Sequence, residues 1–402
     1  MMIRSHYIDE ITGFIDKPQV KVLTGVRRAG KSCLLKQVKR ILIEKGISEA
    51  CIIELNFESL SLADYTNVRD FYTLIQDQIK PNQKYYLLLD EIQEVEEWEK
   101  AISSFLVDFD TDIYITGSNA HLLSSELATY LTGRYVEIPV FTLSYAEFLD
   151  FRKHYFSDSE SLEDPFLHYL RMGGFPVIHT AGYTPGTAYK VIFDIYSSVI
   201  LRDTIQRHNI RDIELLERIV KFAFDNIGNT FSGKNIADFF KSQQRKVDVN
   251  TVYNYLLALE GAFVLHRVSR YDIRGKEILK TLEKFYVSDV SLIYATMGYK
   301  DQMISGLLEN IVFLELKRRG YKVFTGKFGQ REIDFVAEKQ GEKVYVQVAY
   351  KLESNETVER EFLNLASIKD QYPKYVVSMD TFWKENVEGV KHCYITDFLL
   401  KK

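Results

Sequence analysis

The first third of the chain alternates short apolar runs with segments whose apolar residues recur at helical spacing. Five runs rich in β-branched and aromatic residues predict buried strands at 19–24, 51–57, 85–91, 112–116 and 135–140. The amphipathic segments around them predict helices at 4–14, 31–42, 68–79, 97–109 and 121–131. This alternation indicates an α/β fold, with a parallel sheet and helices on both of its faces.

The pattern changes after residue 150. The charged stretch 150–164 is typical of a connector, and AGYTPGT at 181–187 has the composition of a linker. Further along, two helices and a hairpin follow one another in winged-helix order, and the last hundred residues predict a small α/β module. We therefore predict an α/β domain at 1–150, a lid and linker at 151–185, a helical and winged-helix domain at 186–300, and a final α/β domain at 301–402.

Composition limits the class of protein. Of the 402 residues, 46% are hydrophobic and 27% are charged, which is enough apolar material for real cores with a charged surface. There is no run of about eighteen apolar residues that would predict a membrane span, and the N-terminus lacks the apolar segment of a signal peptide. The three cysteines lack metal-binding spacing. We expect a cytoplasmic protein, and the net charge of −5 gives no global attraction for nucleic acid.

The stretch from Gly25 to Ser32 reads G-x-x-x-x-G-K-S, between a predicted strand and a predicted helix. In such a loop the backbone N–H groups cradle phosphates, Lys31 reaches the β- and γ-oxygens, and Ser32 ligates Mg²⁺. The residues expected to bind ATP are Gly25, Arg28, Ala29, Gly30, Lys31, Ser32 and Cys33. Whether Arg27 and Arg28 contact phosphate, a neighbouring subunit or only solvent stays open.

The third predicted strand ends in two carboxylates, Asp90 and Glu91. Asp90 would hold Mg²⁺, directly or through water, and Glu91 would polarise an attacking water as a catalytic base. The alternative is that the strand simply ends in a helix N-cap, a position that Asp often takes. The loop upstream favours the catalytic interpretation.

Two further residues are candidates for catalysis. Asn119 follows the fourth strand and would order the attacking water, ahead of Ser118, although Gly, Ser and Asn are also ordinary turn residues. Arg134 at the start of the fifth strand would stabilise transition-state charge, in this subunit or in a neighbour's site. A surface ion pair is the alternative for Arg134.

Taken together, GVRRAGKS, LLLDEIQ, ITGSNAHLLSSEL, LTGRYVEI and FTLSYAEFL resemble a bacterial and archaeal group of AAA-type P-loop ATPases. Members of this group carry a C-terminal domain of unknown function, and the resemblance covers nearly the whole chain. It implies the additional-strand ATPase fold, with Lys31, Ser32, Asp90 and Glu91 in the roles given above.

The predicted winged-helix region is a candidate DNA-binding surface. Residues 186–300 hold seventeen basic residues against thirteen acidic ones, a balance of +4. The basic residues of the second helix approach and the wing are Lys241, Arg245, Lys246, Arg267, Arg270, Arg274 and Lys276. They would contact phosphates, unless the winged helix serves only for packing.

The order Glu309, Asp334, Gln347 resembles a restriction-endonuclease-like core. In that core, acidic residues bind metal and a lysine two positions after the last one supports the attacking water. Here Gln347 replaces an acid and Ala349 replaces the lysine, which weakens both metal binding and stabilisation of hydroxide. Lys351 lies on the same strand face and could substitute. The alternative is a fold kept for protein or nucleic-acid contact.

The leading hypothesis is an ATPase that hydrolyses the β–γ bond with Mg²⁺ and couples turnover to its C-terminal domains. A nucleotide-gated switch with negligible turnover and a DNA-processing enzyme are the alternatives. A protein partner and a homo-oligomer are both compatible with the sequence.

Overall fold

The computed structural model describes residues 2–119, 130–156, 164–352, 358–381 and 386–401. The chain forms two compact units. The first comprises Met1–Thr142 with Gly261–Phe263, and the second comprises Leu143–Glu260 with Val264–Lys402. No described helix has the length and apolarity that a bilayer crossing needs. The finer division predicted at 150, 185 and 300 stays a prediction.

The first unit is built on a five-stranded parallel sheet, as predicted. Its strands are β1 (Val20–Thr24), β2 (Ile52–Asn56), β3 (Tyr85–Asp90), β4 (Thr111–Gly117) and β5 (Tyr135–Pro139). Their order is β2-β3-β4-β1-β5. Each strand agrees with its predicted bounds to within one residue. Strands β1 and β3 are buried throughout, as continuous apolar runs in a parallel sheet should be.

The described helices of this unit are Ser5–Thr12, Lys31–Glu44, Val68–Gln76 and Trp98–Asp108. The helix Val68–Gln76 is capped by Asn67, whose side chain accepts hydrogen bonds from the N–H groups of Arg69 and Asp70. The predicted helix at 121–131 falls mainly on 120–129, which lie outside the described residues.

The register of the sheet brings the carboxyl ends of its strands to one edge. Thr24 of β1 is level with Gly117 of β4, and Asn56 of β2 is level with Asp90 of β3. The segments that follow β1, β3 and β4 therefore start side by side. This edge carries most of the predicted catalytic residues.

The second unit combines helices with a large sheet. Its described α-helices are Tyr145–Tyr155, Pro165–Met172, Pro185–Ser198, Ile213–Asp225, Gly233–Ser242, Val249–Gly261, Ser291–Met297, Ile304–Arg318, Asn364–Ala366 and Ile395–Leu400. Two π-helical stretches lie at Val199–Gln206 and Glu359–Leu363. The connector predicted at 150–164 is wrong in its first part. Ser144 and Glu147 form a capping box that starts a helix continuing to Tyr155. Similarly, the linker predicted at 181–187 ends early, since Thr184 caps a helix that begins at Pro185.

The described strands of this unit form one sheet in the order β13-β14-β12-β11-β10-β9-β7-β8-β6. They are β6 (Thr230–Phe231), β7 (Leu265–Asp272), β8 (Glu277–Val287), β9 (Lys322–Phe328), β10 (Arg331–Lys339), β11 (Glu342–Val348), β12 (Lys374–Ser378), β13 (Asn386–Val387) and β14 (Val390–Tyr394). The predicted wing is the hairpin β7–β8, and its strand β7 also pairs in parallel with β9. Strands on both sides of the boundary predicted at residue 300 thus share a sheet.

Candidate functional site

The loop after β1 has the backbone shape that a phosphate cradle needs. Gly25 and Gly30 adopt φ values of +146° and +104°, a range that side chains disfavour. A Cβ atom on Gly25 would lie 2.1 Å from the carbonyl oxygen of Val140. Gly30 is the N-cap of the helix Lys31–Glu44 and forms no side-chain cap hydrogen bond. The N–H groups of the first turn can therefore receive an anion.

Lys31 lies over this loop and is 3% exposed. Its ammonium donates hydrogen bonds to the carbonyl oxygens of Gly25 at 2.9 Å and Val26 at 3.2 Å. The same nitrogen lies 3.9 Å from Oε1 of Glu91. The structure thus places a positive charge between the predicted phosphate loop and the predicted base.

Asp90 is held by side chains from three directions. Its Oδ1 accepts a hydrogen bond from Thr116 Oγ1 at 2.5 Å, and its Oδ2 accepts one from Asn56 Nδ2 at 3.0 Å. A third hydrogen bond comes from Ser32. Burial raises the pKa of Asp90, and these hydrogen bonds only partly offset the effect. The carboxylate and the Ser32 hydroxyl are therefore neighbours, as a shared magnesium site requires.

The backbone of Glu91 is in the left-handed region at φ +53°, and its N–H donates to Thr116 Oγ1 at 3.0 Å. Burial opposes ionisation of its carboxyl. The charge of Lys31 and the hydrogen bonds from Gln93 and Ser118 outweigh that effect and lower the pKa. Although Glu91 is the N-cap of the short turn Ile92–Glu94, its side chain forms no cap hydrogen bond. The carboxylate of Glu91 therefore does not cap this turn.

The sequence ranked Asn119 above Ser118, and the structure adds detail to that choice. Both residues are buried where β4 ends. Ser118 forms a side-chain hydrogen bond with Glu91. Thr116, to which no role was given, joins Asp90 to the backbone of Glu91 through one hydroxyl. A polar residue directly after the apolar run 113–115 was the signal for it in the sequence.

Arg134 lies at the far end of the sheet from the loop. Its carbonyl oxygen accepts a hydrogen bond at 2.8 Å from the N–H of Val20, the first residue of β1. The side chain of Arg134 is exposed. Gly25 follows the end of β1, and a strand rises about 3.3 Å per residue, so the two positions are roughly 16 Å apart. The structure therefore does not bring Arg134 to this chain's own loop. A role in a neighbour's site stays a prediction.

The two arginines of the loop differ. Arg27 forms a salt bridge with Glu58. Arg28 is exposed and adopts a positive φ of +68°. Of the other residues predicted to bind ATP, Ala29 is buried and Cys33 is exposed.

A second polar cluster lies in the other unit. Asp334 N–H donates to Gln347 Oε1 at 3.2 Å, so two of the predicted nuclease-like residues touch. Glu309 joins them through Lys284, whose ammonium lies 2.7 Å from Glu309 Oε1 and 3.3 Å from Asp334 Oδ1. The sequence looked for a lysine near residue 349 and missed Lys284. The signal for it was a lysine on the same strand face as buried Tyr286.

The ionisable side chains of this cluster shift one another's pKa values. Burial, reinforced by the charge of Asp334, raises the pKa of Glu309 to about 8. Burial opposes the charge on Lys284, but the surrounding carboxylates outweigh it and raise the pKa of that ammonium. Glu361 is 3% exposed, and its Oε2 has no hydrogen-bond partner among the described residues. This is a buried ion cluster whose lysine holds the carboxylates together.

The residues of the first unit fit Mg²⁺ and ATP. The cradle at Gly25 is closed to any side chain by the Val140 carbonyl, and Ser32 and Asp90 offer the oxygen donors that Mg²⁺ prefers. Among the described residues, no group of three or more Asp, Glu, His or Cys side chains could hold a metal ion. A magnesium held by few protein ligands together with phosphate oxygens is compatible with that finding.

The chain is similar to known proteins over most of its length. The family model for an AAA domain matches residues 17–149, and one for a domain of unknown function matches residues 163–303. An uncharacterized protein of Haemophilus influenzae is 39% identical over 100% of this chain and 99% of its own length. An uncharacterized protein of Methanocaldococcus jannaschii is 32% identical over 84% of this chain and 76% of its own. A Walker-type ATPase of Pyrococcus abyssi has a similar fold, with a TM-score of 0.53 at 15% identity, covering 74% of this chain and 96% of that one.

Proposed function

This chain belongs to the family of AAA-domain proteins that includes those Haemophilus and Methanocaldococcus relatives, and we propose that it binds ATP with Mg²⁺ and hydrolyses it. The observation that carries the proposal is the meeting of Lys31, Asp90 and Glu91 at one edge of the sheet. A nucleotide-binding protein needs the first two of these groups. The third, a buried carboxylate with a lowered pKa, is what hydrolysis adds.

The loop and its helix would bind the triphosphate. The N–H groups from Gly25 to Cys33 and the ammonium of Lys31 would face its oxygens. Ser32 and Asp90 would hold Mg²⁺, which would supply positive charge to offset the negative charge that develops on the phosphates. Lys31 would exchange its contacts with the Gly25 and Val26 carbonyls for phosphate oxygens, which are stronger acceptors.

Glu91 would orient the attacking water and take up its proton. The lowered pKa keeps this carboxylate ionised at neutral pH, so it can accept a hydrogen bond from water. Gln93 Nε2 donates a hydrogen bond to Glu91 Oε2 at 2.5 Å, and Thr116 Oγ1 accepts one from the Glu91 N–H at 3.0 Å. Asn119 would provide a second polar contact to the water at the end of β4.

Arg4 supports coupling between the nucleotide and the rest of the chain. Its guanidinium is buried and donates to the Ala29 carbonyl of the loop at 3.0 Å. It also donates to the carbonyls of Phe141 at 3.0 Å and Thr142 at 3.4 Å, the last residues of the first unit. A shift of the loop on binding ATP would therefore reach the segment from which the second unit begins. Through that segment, turnover would change the conformation of the C-terminal unit and its contact with a DNA or protein partner.

Two measurements test the proposal. ATP with Mg²⁺ should raise the Tm of the wild type but not of Lys31→Ala, because ligand binding stabilises the folded state. Steady-state phosphate release should be present in the wild type and lost in Glu91→Gln, while Glu91→Gln keeps the ATP-dependent Tm shift. Absence of a Tm shift in the wild type would contradict nucleotide binding.

The alternative is a switch in which ATP controls assembly without turnover. Its support is the position of Arg134, which is exposed and distant from its own loop, as a residue serving a neighbour's site would be. ATP-dependent oligomerisation with no phosphate release from either the wild type or Glu91→Gln would favour the switch.

A further inference from the structure

Two adjoining cavities lie in the second unit, and Arg331 lines both. The larger one, of about 930 Å³, contains the cluster around Glu309 and Asp334. The smaller one, of about 720 Å³, lies between the tips of the hairpins β7–β8 and β9–β10. A ligand with repeated charges could therefore extend from one cavity into the other.

Three cations, Arg274, Lys327 and Arg331, line the smaller cavity. Arg274, Lys327 and Arg331 form no salt bridge with any described residue. Arg274 is instead positioned by stacking on Phe328, with 4.5 Å between the guanidinium carbon and the ring centre. Asp272, the carboxylate among the described lining residues, is engaged by the N–H groups of Arg274 and Gly275. Three positive side chains thus converge on one concave surface.

The basic residues that the sequence assigned to DNA are used differently. Arg245 forms salt bridges with Asp212 and Glu214. Arg267 forms them with Glu260 and Glu283. Two members of the predicted phosphate-binding set are thereby neutralised within the fold. Arg274, from the same set, is among the unpaired cations at the hairpin tips.

A buried cation lies behind three carboxylates that line the larger cavity, Glu309, Glu332 and Asp334. Lys284 Nζ lies 2.7 Å from Glu309 Oε1, 2.8 Å from Glu332 Oε1 and 3.3 Å from Asp334 Oδ1, and its side chain is 1% exposed. The second oxygen of Asp334 accepts a hydrogen bond from Val348 N–H at 2.9 Å. The ammonium thus takes the oxygens that a divalent cation would need. The carboxylates are neutralised without metal.

We propose that these two cavities bind the phosphodiester backbone of a nucleic acid, without a divalent metal and without cutting it. Guanidinium groups pair with phosphate oxygens through two parallel hydrogen bonds, and Arg274 and Arg331 have donors available for such pairs. Lys284 removes the need for a metal beside the lining carboxylates, and Ala349, which lines the larger cavity, lacks the ammonium that would activate water there. The site shares Arg274 and the tip of the predicted wing with the predicted winged-helix surface, but its other two cations, Lys327 and Arg331, belong to the hairpin β9–β10.

Binding is measured on the full chain without ATP, so its failure is separate from failure of the ATPase proposal. A fluorescent single-stranded oligonucleotide and a duplex of the same sequence are titrated in EDTA over a range of salt concentrations. For three phosphates neutralised, log K should fall with log salt with a slope of about −2 for the single strand and about −3 for the duplex. Failure of both probes to bind at low salt would overturn the proposal.

A charge-matched pair of variants assigns the surface. The triple variant Arg274→Gln, Lys327→Gln, Arg331→Gln should lose the salt dependence and bind at least tenfold more weakly. Its control, Lys234→Gln, Lys241→Gln, Lys246→Gln, removes three exposed charges from the predicted winged helix and should bind like the wild type. If only the control loses binding, the winged helix is the binding surface and the proposal is wrong.

Metal dependence is tested on the same complexes. Adding Mg²⁺ or Mn²⁺ should produce no cleavage, and Mg²⁺ should not raise the affinity above that in EDTA, because it only competes with the protein for the phosphates. Cleavage in Mn²⁺ that disappears in Asp334→Asn would identify a working metal site and overturn the metal-free account.

Discussion

Thr116 offers a sharp test, because one hydroxyl joins both carboxylates of the ATP site. It donates to Asp90 Oδ1 at 2.5 Å and accepts from the Glu91 N–H at 3.0 Å, and it is fully buried. Thr116→Val keeps the shape and β-branching of the side chain and removes only the hydroxyl. The change should therefore weaken the site without opening a cavity.

The magnitude follows from the two hydrogen bonds. A hydrogen bond to a buried charged group contributes about 1.5–3 kcal/mol, and a buried N–H left without an acceptor costs about 1–3 kcal/mol. Because the two effects share one atom, we expect about 3 kcal/mol of lost unfolding free energy, below their sum. If about half of that free energy is added to the activation barrier, because Glu91 is less well oriented in the transition state, kcat falls roughly tenfold.

The assay is urea unfolding together with steady-state phosphate release. Thr116→Ser is the matched control: it retains the hydroxyl, so its kcat should stay much closer to that of the wild type. If Thr116→Val retained wild-type stability and kcat, the hydroxyl would not be organising the two carboxylates. If Thr116→Ser were as impaired as the valine variant, packing of the methyl group would be the cause.

Three further results are expected. Gly25→Ala should abolish the ATP-dependent Tm shift, because its Cβ would lie 2.1 Å from the Val140 carbonyl at a φ of +146°, whereas Gly186→Ala, in open space, should leave it unchanged. In the second unit, folding raises the pKa of Glu309 to about 8, so the protonated side chain stabilises the fold. This contribution to the free energy of unfolding is complete below the ordinary glutamate pKa and is lost as pH rises through about 8. Urea unfolding at several pH values should show the free energy falling over this range, and the fall should be smaller in Glu309→Gln. Arg134→Ala should leave the kcat of the monomer within about twofold, as for an exposed residue outside the site, and a larger fall in the monomer would place Arg134 in its own site.

The sequence predicted the first unit well because its signals are local. A buried strand, a phosphate loop and a helix follow one another around Gly25, and each can be identified within a few residues. The parallel sheet then determined which strand ends meet, and this placed Asp90 and Glu91 beside Lys31. Thr116 was passed over because its role depends on the register between two strands, which no local pattern encodes.

The second unit was predicted less completely because its site depends on distant residues. Lys284 reaches carboxylates 25 and 50 positions further along the chain. A search by motif spacing looks for the lysine at residue 349 and finds alanine. Likewise, the charges of Arg245 and Arg267 could be counted from the sequence, but their acidic partners appear only when the helices and hairpin are folded.

The central claim is that the site at Gly25–Ser32 hydrolyses ATP with Glu91 as the base. The most direct measurement is a single-turnover experiment. Wild type and Glu91→Gln, each in excess over labelled ATP, are mixed with the ATP and Mg²⁺. The reactions are quenched at successive times, and the bound nucleotide is identified. The account predicts equal binding in both, conversion to ADP and phosphate in the wild type, and intact ATP in Glu91→Gln. Intact ATP in both proteins, or conversion at the same rate in both, would contradict it.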